Sequence, residues 1–159
     1  YLVPALSQLA RSGQSENAVA NDIECLAFGS GEIAADPNLP KINHLGFIDS
    51  LDRKRDVYLA ADLVVVPSLE DNQPQVGLEA MACGTPVITS TTSSLPEVGG
   101  SAVMYANPES AGEITQHMIK LCTDSTMREK FSQLGLKQSA QFSWEKTARA
   151  TIQLFEHLH

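Results

Sequence analysis

The sequence predicts an α/β domain with a parallel sheet, wrapped at its carboxyl end by helices. Three observations carry this. Short apolar runs rich in β-branched residues alternate with stretches of helical spacing. The run Leu63-Val64-Val65-Val66 shows no in-out alternation, the pattern of a strand covered on both faces, as in a parallel sheet. From Pro108 onward the apolar residues recur at helical spacing only.

The elements follow in order. Leu2, Leu6 and Leu9 recur at i, i+4, i+7 and predict a first helix, with Pro4 in its first turn and Arg11 to Gln14 ending it. Ile23 to Phe28 reads as a strand closed by Gly29-Ser30-Gly31, and Ile42 to Phe47 as a second, shorter one. Leu51 to Ala61 reads as a helix carrying Arg53, Lys54 and Arg55 on a solvated face. After the valine run comes a polar loop, Ser68 to Gln75, then a helix from about Val76 to Ala82, stopped by Gly84. Pro86 to Ser90 is the next strand, Leu95 to Val98 a helical turn, and Ala102 to Tyr105 another strand. Ile114, Met118, Leu121 and Cys122 mark one helix face; Met127, Phe131 and Leu134 mark the next. Ser143 is placed to cap a last helix with Trp144, Ala148, Ile152 and Phe155 on one side. No internal repeat or low-complexity linker divides residues 1–159, so one domain is expected.

Composition narrows the function. Eleven Lys and Arg against nineteen Asp and Glu give a net charge of -8. An acidic chain offers no broad basic surface for nucleic acid or anionic membrane. No apolar run approaches the ~20 residues of a membrane span. Cys25, Cys83 and Cys122 form no ligand spacing, and each lies in an apolar stretch, so buried thiols in a reducing compartment are expected, with no metal site. The four histidines form no ligand pattern either. Tyr1 is not preceded by Met and no basic leader follows it, which predicts a chain that starts inside a longer gene product or has been trimmed.

In open parallel sheets ligands bind beyond the carboxyl ends of the strands. Three loops lie there: Gly29 to Glu32, Phe47 to Ser50, and Ser68 to Gln75. The last leads into a helix whose first amides lack backbone partners and whose dipole favours an anion. Asp71 sits in this loop and Glu79 eight residues later on the helix. A loop carboxylate can accept hydrogen bonds from sugar hydroxyls, one on the helix can grip a cis-diol such as ribose, and phosphates would lie between them on the amides. Each residue also has a plainer reading, Asp71 as a turn residue or cap and Glu79 as a solvated charge, but the apolar neighbours Leu78, Ala80, Met81 and Ala82 that hem Glu79 in favour a functional role. Thr89 to Ser94 is a hydroxyl-rich loop whose role the sequence leaves open, between lining the pocket and plain structure.

The segment Asp71 to Glu79, the run Glu79-Ala80-Met81-Ala82-Cys83-Gly84-Thr85-Pro86-Val87, and Ser93-Ser94-Leu95-Pro96-Glu97-Val98-Gly99 together resemble the donor-binding half of GT-B glycosyltransferases, specifically glycosyltransferase family 4. The likeness runs from the Leu2–Leu6 helix to Phe142-Ser143-Trp144. It implies a Rossmann-like sheet and a retaining hexosyltransferase that uses a nucleotide-diphosphate sugar (UDP-, GDP- or ADP-linked), a glycan, lipid or small acceptor, and no cofactor. It also implies a cytoplasmic enzyme, membrane-peripheral at most. Carried over by position, Asp71 would hold donor-sugar hydroxyls where the family usually has Glu, and Glu79 the ribose hydroxyls. The amides of Asn72, Gln73, Gln75 and Val76 would approach the sugar and distal phosphate. Phe47 and Ile48 would flank the base, and the glycine turn at Gly29 would close its strand against the donor.

Two departures stand out. The loop reads Asp71-Asn72-Gln73-Pro74-Gln75-Val76 where the family has Glu-Gly-Phe-Gly-Leu-Pro, and Pro74 has no amide to give. The family's first strand of this half, ending in Gly-Arg, and the Lys that follows have no counterpart in the sequence, so the sheet is expected to lack that strand. The opening would serve as a groove or as a place for a second copy of the chain. Without those cations and the partner domain that holds acceptor, the chain alone is expected to be inactive, and Phe155 on the last helix to be exposed. Two other classes remain. Gly29-Ser30-Gly31-Glu32-Ile33-Ala34 followed by Asp49 fits a dinucleotide fingerprint of an NAD-type oxidoreductase, but Pro37 and Pro40 oppose the long helix that fingerprint needs. A non-catalytic interaction module on the same fold is the other.

Overall fold

A computed structural model describes residues 2–12, 23–31 and 36–157. The element order is α1 (Leu2–Ser12), β1 (Glu24–Ala27), β2 (Lys41–His44), α2 (Leu51–Ala60), β3 (Val64–Val66), α3 (Gln75–Ala82), β4 (Val87–Ser90), α4 (Leu95–Gly99), β5 (Met104–Ala106), α5 (Ala111–Thr123), α6 (Ser125–Ser139) and α7 (Trp144–His157). All described strand pairs are parallel, as the valine run predicts. The described strands form two ladders, β1-β2 and β3-β4-β5, and no described strand joins them. Among the described residues β1 and β3 are each left as an edge.

Burial follows this arrangement. β4, the central strand of three, is buried at all four positions, whereas Val64 and Val65 of β3 are only half-buried. The expectation that the valine run is covered on both faces is thus met by β4 instead, because β3 has a described strand on one side only. Helices cover both faces of this layer. On one side Tyr58, Ala80, Met81, Val87, Leu95, Val98 and Val103 form a core with α2, α3 and α4. On the other Ala5, Leu6, Leu9, Ile88, Ile114, Met118 and Leu121 form a second core under α1 and α5, and Cys25 and Ile42 of the first ladder pack against it. Both ladders therefore contribute to this second core.

Caps fix the helix starts. Ser50, Ser110 and Asp124 each accept a hydrogen bond from the third amide of α2, α5 and α6. α6 approaches α3 closely at Gly135, where an added Cβ would stand 3.3 Å from Met81 Cγ. Strand β2 ends at His44, short of the expected Phe47, because Gly46 turns the chain with φ +68°. Likewise β5 starts only at Met104, since Ala102 is held by a turn bond to the carbonyl of Gly99. The three thiols are half-buried, less enclosed than the sequence suggests. The last helix buries no residue, and Trp144 and Phe155 are 77% and 61% exposed. No described helix is long and apolar enough to cross a membrane.

Candidate functional site

Parallel pairing puts the ends of β1, β2, β3 and β4 on the same edge of their ladders, and the polar loops gather there. The β1 and β2 loops are tied together: the Gly29 amide donates to the Gly46 carbonyl at 3.0 Å, with Gly29 at φ +123°. That brings Gly29 beside the segment carrying Phe47 and Ile48. The two apolar side chains part company. Phe47 is 79% exposed, whereas Ile48 is 3% exposed and belongs to the interior. Of this pair, only Phe47 presents a face that a ligand can meet.

The loop after β3 is held by the loop after β4. Thr92 Oγ1 donates to the Leu69 carbonyl at 2.9 Å, and Ser94 Oγ to the Asp71 carbonyl at 2.6 Å. Ser93 Oγ donates to the same Asp71 carbonyl at 2.8 Å and accepts from the Asp71 amide at 3.3 Å. Ser93 takes φ +56°, the left-handed region that a serine enters only at a cost. The hydroxyl-rich stretch thus acts as a clamp on the backbone around Asp71. The Asp71 carboxylate itself accepts from the Gln73 amide at 3.0 Å, closing a local turn through one oxygen.

Helix α3 begins at Gln75 behind Pro74, which provides no side-chain cap. The Gln73 amide is committed to Asp71, and the Gln75 amide to the Gln73 carbonyl at 2.8 Å. Of the four amides singled out from sequence, Asn72 and Val76 are the two without such an internal bond. The amide of Gly77 joins them, because its place in the first helical turn leaves it no carbonyl four residues back within the helix. Pro74 is buried, so the helix start is anchored by an apolar ring while its neighbours Gln73 and Gln75 stay exposed.

Glu79 lies one turn further in, and its carboxylate is gripped from α2. Lys54 Nζ approaches Oε1 at 3.1 Å and the Tyr58 hydroxyl donates to Oε2 at 2.9 Å. Lys54 and Tyr58 are four residues apart and so share a helix face. The expectation of a uniformly solvated Arg53-Lys54-Arg55 run is corrected here. Arg55 pairs with Asp52 and Asp56 at the surface, but Lys54 turns inward, and the Lys54 and Glu79 side chains are 26% and 30% exposed. Burial, then the Glu79 hydrogen bond and charge, push the Tyr58 phenol far above its ordinary range, so it remains a donor at neutral and mildly alkaline pH. Composition and periodicity carried no signal for this contact, which joins residues over twenty positions apart; the i, i+4 spacing of Lys54 and Tyr58 was the one available hint.

A small hollow at the ends of β4 and β5 is lined by Pro67, Thr89, Ser90, Ala106 and Pro108, among others, and reaches neither Asp71 nor Glu79. No described group of three His, Cys, Asp or Glu side chains is arranged to hold a metal. For the dinucleotide fingerprint, residues 32–35 lie outside the described part. Residues 36–40 form a turn, so the described chain builds no long helix after the glycines.

Comparison with known proteins agrees with the fold. Residues 1–124 match the family described as glycosyl transferases group 1. Over 117 residues the chain is 38% identical to the O-antigen chain mannosyltransferase B of Escherichia coli, covering 74% of this chain and 30% of that protein. Over 104 residues it is 36% identical to the D-inositol 3-phosphate glycosyltransferase of Corynebacterium jeikeium, covering 64% of this chain and 25% of that protein. The chain thus spans less than a third of the length of either relative. Among solved structures, a sucrose-phosphate synthase from Thermosynechococcus elongatus superposes with TM-score 0.73 at 23% identity, covering 99% of this chain and 42% of that one, which establishes the fold. The C-terminal domain of a glycosyl transferase group 1 family protein from Francisella tularensis superposes with TM-score 0.57 at 28% identity, over 64% of this chain and 53% of that one. The architecture is therefore α/β and Rossmann-like, of the GT-B glycosyltransferase type, and the chain belongs to the glycosyl transferases of group 1.

Proposed function

We propose that residues 1–159 act as one donor-binding unit of a retaining hexosyltransferase, taking a nucleoside-diphosphate sugar across the carboxyl edge of the strands. In this reading Glu79 accepts from the two ribose hydroxyls. The amides of Asn72, Val76 and Gly77 face the diphosphate, where the helix dipole adds its attraction. The free oxygen of Asp71 meets a sugar hydroxyl, and the Phe47 ring lies against the base. The chemistry asked of this half is orientation of the donor and stabilisation of the departing diphosphate.

The observation that carries the reading is the Glu79 carboxylate, held in place one helical turn beyond amides with no internal partner. The Anabaena protein HepE, which shares the fold at TM-score 0.67 and 15% identity, is solved in complex with UDP, and that supports a nucleotide ligand here.

Calorimetric or saturation-transfer titration of this chain with UDP, GDP, ADP and NAD tests it. Binding of at least one nucleoside diphosphate, stronger than that of NAD, is the expected result. Preference for NAD, or equal indifference to all four, would overturn it.

A further inference from the structure

Glu79 has each of its two oxygens occupied by a different donor from one neighbouring helix. A carboxylate offers about four acceptor positions. Lys54 takes one on Oε1 and Tyr58 takes one on Oε2, so each oxygen keeps acceptor capacity. One open acceptor on each of two oxygens of the same carboxylate suits a pair of vicinal hydroxyls.

The donors differ in stiffness. Tyr58 is 2% exposed, its ring packed in the core and edge-on to Phe28 with centroids 5.8 Å apart. Its carbonyl is fixed as well, accepting from Thr85 Oγ1 at 2.8 Å. The phenol oxygen is thus placed by the core, and it sets the plane of the Glu79 carboxylate. Phe28 directly precedes Gly29, so the same packing ties Glu79 to the β1 loop. Lys54 supplies charge: a bare carboxylate near a diphosphate would repel it, and the ammonium at 3.1 Å offsets that field.

Resting on the proposed donor reading, we infer that Tyr58 and Lys54 are positioning residues, which hold Glu79 in the orientation that selects a nucleotide with an intact ribose cis-diol. They touch Glu79 and not the ligand. A glutamate left free would have to freeze its rotamers on binding and would lose discrimination between a diol and its absence.

The probe is the ratio of affinities for UDP or GDP and for the matching 2′,3′-dideoxynucleotide, measured by titration on the wild-type chain, Glu79→Gln, Tyr58→Phe and Lys54→Met. The ratio is insensitive to general loosening, which weakens both ligands alike. A thermal melt of each variant confirms folding, and Tyr58→Phe retains the ring that packs the core. The wild type is expected to favour the ribonucleotide, Glu79→Gln to lose that preference, and Tyr58→Phe and Lys54→Met each to reduce it by about 5- to 10-fold, the size of one typical net hydrogen bond at a partly exposed carboxylate. If Glu79→Gln loses the preference while both α2 variants keep it, the positioning role falls and the donor reading stands. If the wild type shows no preference, or Glu79→Gln keeps it, the donor reading falls and the inference with it.

Discussion

Replacing Tyr58 by phenylalanine deletes one oxygen and leaves the ring in place, so its effect on stability can be worked through. At pH 8 the variant loses a hydrogen bond to a carboxylate. Such bonds are worth about 1.5–3 kcal/mol when fully enclosed. Here the acceptor side chain is 30% exposed and Lys54 stays on the other oxygen, so water can replace the donor in part. A loss of about 1–1.5 kcal/mol is expected. The pH dependence is more telling. The folded phenol is held above its ordinary value of 10 by burial, by the hydrogen bond to Glu79 and by the Glu79 and Cys83 charges, whereas the unfolded one ionises near pH 10. A raised folded value means that the stabilisation is complete below pH 10 and is lost as pH rises, at up to about 1.4 kcal/mol per unit. The variant, with no phenol to ionise, has no such loss. Urea unfolding at pH 8 and pH 11 should therefore show the gap between wild type and Tyr58→Phe shrink from about 1–1.5 kcal/mol to near zero. A gap that stays constant or widens would refute the placement of Tyr58 in the core with its hydroxyl on Glu79.

Three further outcomes follow from the packing and the loops. In Gly99→Ala the new Cβ would stand 2.6 Å from Val103 Cγ2 and 2.7 Å from the Tyr105 hydroxyl, which is itself bonded to the Gly100 carbonyl; a destabilisation of about 1–3 kcal/mol is expected in a urea melt, and a neutral change would contradict the tight contact. Ser93→Ala removes both hydrogen bonds to the Asp71 backbone and keeps the left-handed strain; the Asp71 amide should exchange faster with solvent, and stability should fall by about 1 kcal/mol. Burial raises the thiol pKa of Cys25 and Cys122, so at pH 8 both should react with a disulfide reagent more slowly in the native chain than in urea, and equal rates would contradict their packing.

Local signals made the architecture readable. The apolar run at residues 63–66, the β-branched stretch Val87 to Thr89, the glycine after α3, and helical spacing beyond Pro108 each report a neighbour close in sequence, and the structure places strands and helices there. What stayed hidden depends on long-range placement. The difference in burial between β3 and β4 comes from which strands flank them, and that is fixed by the order across the sheet. Arg53, Lys54 and Arg55 look alike in sequence, yet rotation of α2 against α3 turns one of them to Glu79. Ile48 and Phe47 are neighbours with opposite fates because the chain after Gly46 is neither strand nor helix, so no period predicts which side chain turns inward. At the loop itself, Asp71 and Glu79 were legible as a spacing, while the serine clamp that fixes Asp71 required the loop after β4 to fold back on it.

Residue-resolved chemical-shift mapping on the labelled chain during titration with UDP and with GDP tests the donor site most directly. The amides of Asn72, Val76, Gly77 and Glu79, with Phe47, are expected to move together and saturate with one affinity, while α5, α6 and α7 stay still. Shifts confined to the hollow near Pro67 and Ser90, or scattered without saturation, would contradict it.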